Sequence, residues 1–124
     1  MKMKLFRKAI IFFLLIVLLI GLFFAIIQID QPVEFNDPNL ELAIRDKLNH
    51  FYKPIYRSQL LGFIELDLSN KGIKDISGIG NFRNLEVLNL RTNEINDVSP
   101  LETLRKLHSL DLGYNHLIDL ENSS

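Results

Sequence analysis

The stretch that decides the fold runs Leu85-Glu86-Val87-Leu88-Asn89-Leu90-Arg91-Thr92-Asn93-Glu94-Ile95. Twenty-two residues later its apolar positions and its asparagine return, in Leu107-His108-Ser109-Leu110-Asp111-Leu112-Gly113-Tyr114-Asn115-His116-Leu117. The same register extends backwards to Phe63, Leu66, Leu68 and Ile73. Three copies of one unit therefore follow one another without a gap, and a fold built from stacked repeats is expected.

The spacing inside one copy indicates a short strand followed by a tight turn. Leu88 and Leu90 alternate with Val87 and Asn89, as in a strand with one buried face. Asn93 comes next, and an inward asparagine can bond backbone groups that a tight turn leaves unpaired. Ile95, Val98, Leu101 and Leu104 fill the rest of the coil, while Pro100 suits an irregular or short helical return path. The strands of successive coils are expected to pair in parallel.

This spacing is the leucine-rich-repeat pattern, and its period lies within the range of such repeats. We predict an α/β leucine-rich-repeat solenoid with parallel strands on a concave face. Its repeats cover residues 63–84, 85–106 and 107–124, the last of them incomplete. Lys71 occupies the position of Asn93 and Asn115, so the first coil lacks one member of the asparagine ladder.

A helical cap is predicted over residues 37–62. Asp37 can accept hydrogen bonds from free backbone N–H groups, and Pro38 at the first helical position loses no hydrogen bond. Apolar residues at helical spacing form one stripe that must cover the first coil, and Pro54 is expected to stop the helix. The stripe consists of Leu40, Ala43, Ile44, Leu48 and Phe51.

The N-terminal segment is predicted to be a signal anchor over residues 1–29, followed by a linker over 30–36. Residues 9–27 are nineteen consecutive uncharged residues, which as a helix span roughly 28 Å of bilayer. Four cations precede them (Lys2, Lys4, Arg7 and Lys8) and should stay in the cytoplasm, which places the body outside. The alternative is a cleaved signal and a secreted protein, although only Ala25 near the end suits a cleavage site.

The remaining residues form no pattern that is typical of a catalytic site. There is no Cys, and His50, His108 and His116 lie in different predicted elements, so neither a metal nor another cofactor is expected. Asp67 and Asp111 share one outward strand position but have no evident pocket around them, so no catalytic residue and no small-molecule substrate are predicted. From Asp30 onward ten Lys/Arg and fifteen Asp/Glu leave a charge of −5, which disfavours nucleic acid.

Residues 35–124 resemble internalin-type bacterial leucine-rich-repeat proteins. Phe35-Asn36-Asp37-Pro38-Asn39-Leu40 with Ala43-Ile44-Arg45 looks like their helical cap, and Leu66-Asp67-Leu68-Ser69-Asn70-Lys71-Gly72-Ile73 looks like the first repeat after it. The resemblance implies a surface or secreted Gram-positive protein that binds through its concave strand face. Family members usually carry more coils and a closing module. We therefore expect a truncated reading frame, a fragment, or an end covered by a partner or a second copy.

The predicted function is a membrane-anchored, extracytoplasmic module for surface recognition or adhesion, with a protein as its partner. The predicted contact residues point outward from the three strands and flank them: Glu65, Asp67, Val87, Asn89, Arg91, Ser109, Asp111 and Tyr114. Two alternatives stay open. One is an accessory subunit docked to another membrane protein, for which a single Gly21-x-x-x-Ala25 pair is the only sign. The other is a gene fragment.

Overall fold

The computed structural model describes residues 1–118, except for the side chains of residues 27–29. The chain divides into two compact units, with the boundary between Gln31 and Pro32. The first unit contains helix α1 (Lys2–Ile29). Its segment Lys2–Ile26 is long and apolar enough to cross a membrane, a test that a signal sequence near the N-terminus also passes.

The second unit begins with the predicted cap. Helix α2 (Pro38–Leu48) starts at Asp37 and buries Leu40, Ala43 and Ile44, as the apolar stripe predicted. Its end is not set by Pro54, and this part of the prediction was wrong. Asn49 adopts the left-handed conformation (φ 52°, ψ 47°), which ends the helix at Leu48. Phe51 consequently lies outside the helix and is 47% exposed.

The interpretation of residues 30–36 as a spacer also needs correction, because the body begins at Pro32. Pro32 forms an antiparallel bridge with Tyr56. The Val33 N–H donates to the Ile55 carbonyl at 2.7 Å, and the Phe35 side chain is buried. A polar composition suggested a free linker, but these contacts attach the segment to the cap.

The repeats stack as predicted. After the short helix α3 (Arg57–Leu60), the strands β1 (Glu65–Asp67), β2 (Val87–Asn89) and β3 (Ser109–Asp111) form a parallel sheet in that order. Leu66 pairs with Leu88, and Leu88 with Leu110, so each strand lies one repeat from the next. The return paths contain two 3₁₀ helices, Ile79–Asn81 and Ser99–Thr103.

Asn93 joins the first two coils with its whole amide group. Its Oδ1 accepts from the Lys71 and Ile73 N–H groups at 3.1 and 3.0 Å. Its Nδ2 donates to the Leu68 and Leu90 carbonyls, both at 2.9 Å. Asn115 repeats part of the arrangement by accepting from the Ile95 N–H at 3.0 Å and donating to the Leu90 carbonyl at 2.9 Å. The predicted ladder is therefore present in the second and third coils.

A carboxylate from the cap serves the first coil, where Lys71 interrupts the ladder. Asp37 Oδ1 accepts from the N–H groups of Asn39 and Leu40 at the start of α2. Its Oδ2 accepts from the N–H groups of Lys74 and Asp75 in the first coil. Burial alone would raise the pKa of Asp37, but these four donors outweigh it and hold the pKa below its ordinary value.

One continuous core runs from the cap into the second coil. Leu66 and Leu88 are 3% and 1% exposed, whereas the equivalent Leu110 in the third coil is 41% exposed. Leu117 is also exposed, as expected for a coil with no described neighbour on its outer side. Leu120, which is twenty-two residues from Val98 and so takes the equivalent position in the third coil, lies outside the described residues.

Replacing Gly78 with alanine is expected to detach the segment before α2 from the first coil. Gly78 has φ +98°, and an added Cβ would lie 2.7 Å from Phe35 Cδ1 and 2.8 Å from the Glu34 carbonyl oxygen. The left-handed backbone and the overpacking together should lower the free energy of unfolding by about 3 kcal/mol. The urea midpoint of the full chain in detergent micelles, read from protease resistance of the body, measures this. Gly62→Ala is the control, since an added Cβ there meets nothing within 4 Å. Equal midpoints for the two variants would contradict the packing described.

Asp37 should make stability depend on pH in the acid range. Because its folded-state pKa lies below the unfolded value of 3.8, the carboxylate stabilises the fold above that value. The stabilisation is lost as pH falls from 3.8 through the folded-state pKa. Asp37→Asn should lose about 2 kcal/mol at neutral pH and respond less to acid than the wild type. Urea midpoints of the full chain at a series of pH values test this.

The control is Asp97→Asn. Asp97 also has a lowered pKa, through the backbone N–H and hydroxyl of Ser99, but its side chain is exposed on a turn. If Asp37→Asn follows the wild-type pH dependence, the role given to this carboxylate is incorrect.

Candidate functional site

The structure brings the predicted strand positions to one face. Strand pairing sets Glu65 beside Val87 and Val87 beside Ser109. A second row contains Asp67, Asn89 and Asp111. In the first two strands these positions flank the buried Leu66 and Leu88, so they point away from the core. Arg91 and Tyr114 follow the second and third strands, and both are exposed.

The second row has a structural role that the sequence interpretation missed. Asp67 Oδ1 accepts from the Ser69 N–H at 2.9 Å, and Asn89 Oδ1 accepts from the Arg91 N–H at 3.0 Å. Asp111 Oδ1 likewise accepts from the Gly113 N–H at 2.8 Å. Each side chain thereby fixes the turn after its own strand. The available signal was the recurrence of Asp or Asn at one repeat position two residues before the turn.

The surroundings of Asp67 favour the charged form of its side chain. The backbone N–H and the hydroxyl of Ser69 lower the pKa of Asp67, and the nearby cations Lys47 and Lys71 lower it further. Lys47 and Lys71 line a shallow depression together with Asp67 and Ser69. The first-coil end of the face is thus of mixed charge, with two cations that strand alternation does not predict there.

Arg91, Asp111 and Tyr114 form the most defined side-chain cluster of the face. The Arg91 guanidinium carbon lies 4.6 Å from the centre of the Tyr114 ring. Arg91 Nη1 also lies 3.5 Å from Asp111 Oδ2 in an exposed ion pair. The ring and the carboxylate together restrict the guanidinium while Tyr114 itself stays 75% exposed. The cluster presents one planar cation and one aromatic side chain to solvent.

The backbone that presents Tyr114 is unusual and repeats. Asn70, Thr92 and Tyr114 have φ of 55°, 58° and 56°, in the left-handed region that non-glycine residues seldom adopt. The three positions are one repeat apart, and each comes directly before the ladder position. The tight turn therefore directs the side chain of the third member outward beside the strands. In the sequence, only Asn70 indicated a left-handed backbone at these positions, because asparagine tolerates this conformation.

The histidines lie apart from this face or at its border. His108 Nε2 lies 3.4 Å from Glu86 Oε2, one residue before β3. Among residues 1–118, no three His, Asp or Glu side chains are grouped so that they could hold a metal ion. What the face offers is hydrogen-bonding and ionic groups around one aromatic ring.

Comparison with known proteins agrees with this architecture. Residues 64–103 and 83–124 match the family described as Leucine Rich repeats (2 copies). Two solved structures from Listeria monocytogenes are similar: internalin inlF, 32% identical with a TM-score of 0.68, and internalin C2, 31% identical with a TM-score of 0.66. This is an internalin-like leucine-rich-repeat protein.

The internalin-like chain spans only part of these neighbours. The match covers 73% of this chain, but 28% of internalin inlF and 43% of internalin C2. A Clostridium perfringens ZmpB structure with CBM51-2 and INT domains is 34% identical over 64% of this chain and 17% of that one, with a TM-score of 0.58. No curated protein sequence matched the chain. The predicted family and the predicted solenoid with a helical cap and parallel strands are both confirmed. An internalin-like fold suggests a protein-binding or adhesion module.

Proposed function

We propose that this internalin-like chain is a membrane-anchored recognition module that binds a protein partner outside the cytoplasm through its strand face. Helix α1 is the anchor in this proposal. Its first eight residues carry four cations and no acidic residue, and such a charge keeps the preceding end of a span in the cytoplasm. The body would then lie on the opposite side of the membrane.

The cluster of Arg91, Asp111 and Tyr114 is the observation that carries the binding proposal. Arginine and tyrosine are the residue types that most often dominate protein interfaces. The stacking at 4.6 Å and the ion pair at 3.5 Å restrict Arg91 before a partner arrives, which reduces the entropy lost on binding. The predicted Glu65, Asp67, Val87, Asn89 and Ser109 surround this cluster as the rest of the contact surface.

The test uses the absence of native Cys, so that one introduced thiol reports alone. Ser109→Cys places a thiol on the face, and Asn96→Cys places one on an exposed turn away from it. A membrane-impermeant maleimide carrying a photo-crosslinker is applied to intact source cells. Both thiols should react, because both lie outside, but only position 109 should give a defined protein crosslink. Failure of both thiols to react would overturn the topology.

A matched pair of variants connects the crosslink with the cluster. Arg91→Ala with Tyr114→Ala should lower the crosslink yield at limiting partner by roughly thirtyfold, since truncating an interface anchor costs about 2 kcal/mol or more. Tyr52→Ala with Lys53→Ala removes one exposed tyrosine and one cation from the cap and should leave the yield unchanged. Equal yields from the two double variants would show that the strand face is not the binding surface.

A further inference from the structure

We propose that a basic patch on the return side of the coils binds anionic phospholipid headgroups and so orients the body on its own membrane. The patch consists of Arg57, Arg83, Arg105 and Lys106. This proposal rests on the proposed membrane anchor. It gives a function to a surface that is separate from the strand face.

The repeat itself assembles the patch. Arg83 and Arg105 are twenty-two residues apart, as are Asn84 and Lys106, so equivalent positions of successive coils lie side by side. Lys106 Nζ donates to Asn84 Oδ1 at 2.7 Å, and Arg57 Nε donates to Asn81 Oδ1 at 3.0 Å.

Close packing of the two 3₁₀ helices brings these coils together. A Cβ added to Gly80 would clash with the Thr103 hydroxyl and lie 3.4 Å from the Pro100 carbonyl oxygen. One open depression follows from this arrangement. It is lined by Gly80, Asn81, Arg83, Asn84, Glu102, Thr103, Arg105 and Lys106.

Some cations elsewhere on the body are held in ion pairs, whereas those of this patch, like Lys47, Lys53 and Lys71, form none among residues 1–118. Arg45, Lys74 and Arg91 each form an ion pair, with Glu41, Glu94 and Asp111 respectively. Glu102 is the one acidic residue that lines the depression, so the patch has a net charge of +3 on a body of negative net charge. Arg83, Arg105 and Lys106 are exposed and Arg57 is half-buried. Cations without an ion-pair partner suit a surface of closely spaced phosphates.

The short connection between α1 and the body favours the membrane as the source of those phosphates. Only Asp30 and Gln31 separate the end of α1 from Pro32, so the Cα atoms of Ile29 and Pro32 can lie at most about 11 Å apart. Within the body, Pro32 is bridged to Tyr56, the residue directly before Arg57. An anchored α1 therefore holds the border of the patch close to lipid headgroups. Membrane anionic lipid is then the phosphate present at the highest effective concentration.

The experiment measures arginine modification by phenylglyoxal on the full chain reconstituted into lipid nanodiscs. One preparation contains zwitterionic phosphatidylcholine only, and the other includes phosphatidylglycerol. Arg83 and Arg105 should be protected in the anionic discs, unprotected in the zwitterionic discs, and released at high salt. Arg91 on the strand face serves as the internal control and should react equally in both discs. Mass spectrometry after digestion at acidic residues quantifies each arginine.

A charge variant tests the patch directly. Each cation near an anionic surface changes the bound-to-free ratio about fivefold, so Lys106→Glu, which removes one cation and adds an anion, should lower it by roughly thirtyfold. Lys71→Glu makes the same charge change at an exposed position on the other side of the body and should not alter the protection. Equal loss of protection in both variants would overturn the assignment to this patch.

Two further arms separate the causes of failure. A chain that does not copurify with the discs overturns the membrane anchor, and this proposal with it. A chain that is incorporated but shows equal arginine reactivity in both discs overturns only the lipid contact. Inorganic polyphosphate added to the zwitterionic discs is the last probe. Protection of Arg83 and Arg105 by polyphosphate but not by phosphatidylglycerol would reject lipid in favour of a soluble phosphate polymer.

Discussion

The structure depends on hydrogen bonds to the backbone N–H and C=O groups of a tight turn. Each coil buries this turn against its neighbour. Asn93 makes four such hydrogen bonds with one amide, two as acceptor and two as donor. A buried N–H or C=O without a partner costs about 1–3 kcal/mol, so the coils cannot be independent of one another. Because Asn93 belongs to the second coil while three of its four partners lie in the first, the interaction sets the stacking as well as the turn.

The same requirement explains the cap. The first coil has no preceding repeat, and Asp37 supplies from α2 the acceptor for the N–H groups of Lys74 and Asp75. A single carboxylate therefore starts the capping helix and ties it to the solenoid. The outward rows of the face follow from this stacking, since the 22-residue register that aligns the ladder also aligns Asp67, Asn89 and Asp111. Binding residues can vary at outward positions while the inward ones hold the scaffold.

Much of the fold could be predicted from the sequence because inward positions are constrained by packing. The spacing of Leu88, Leu90 and Asn93 identified strand and turn, and the parallel register followed from it. The attachment of residues 32–36 was hidden because Val33 and Phe35 are too few to form a recognisable apolar pattern, and their partners are distant in sequence. The end of α2 was missed because proline is a stronger helix breaker than asparagine, whereas the left-handed conformation of Asn49 ends the helix before Pro54 is reached.

The candidate site was predictable in position but not in detail. Strand alternation located the outward residues, yet it could not show that Arg91 stacks on Tyr114, since that contact joins two coils. Nor could it separate residues that fix turns from residues free to meet a partner, as Asp67 and Asp111 illustrate. The basic patch escaped notice because total charge conceals how cations are distributed around a coil.

Replacing the ladder amide is the most direct test of this account. Asn93→Ala should lower the free energy of unfolding by about 3 kcal/mol or more, because it leaves four backbone groups without their partner. Amide hydrogen exchange of the full chain in detergent micelles should show the loss first at Lys71 and Ile73, in the neighbouring coil. Asn96→Ala, on an exposed turn of the same coil, should change neither quantity. Unchanged exchange at Lys71 and Ile73 in Asn93→Ala would contradict the claim that one coil's asparagine holds the turn of the next.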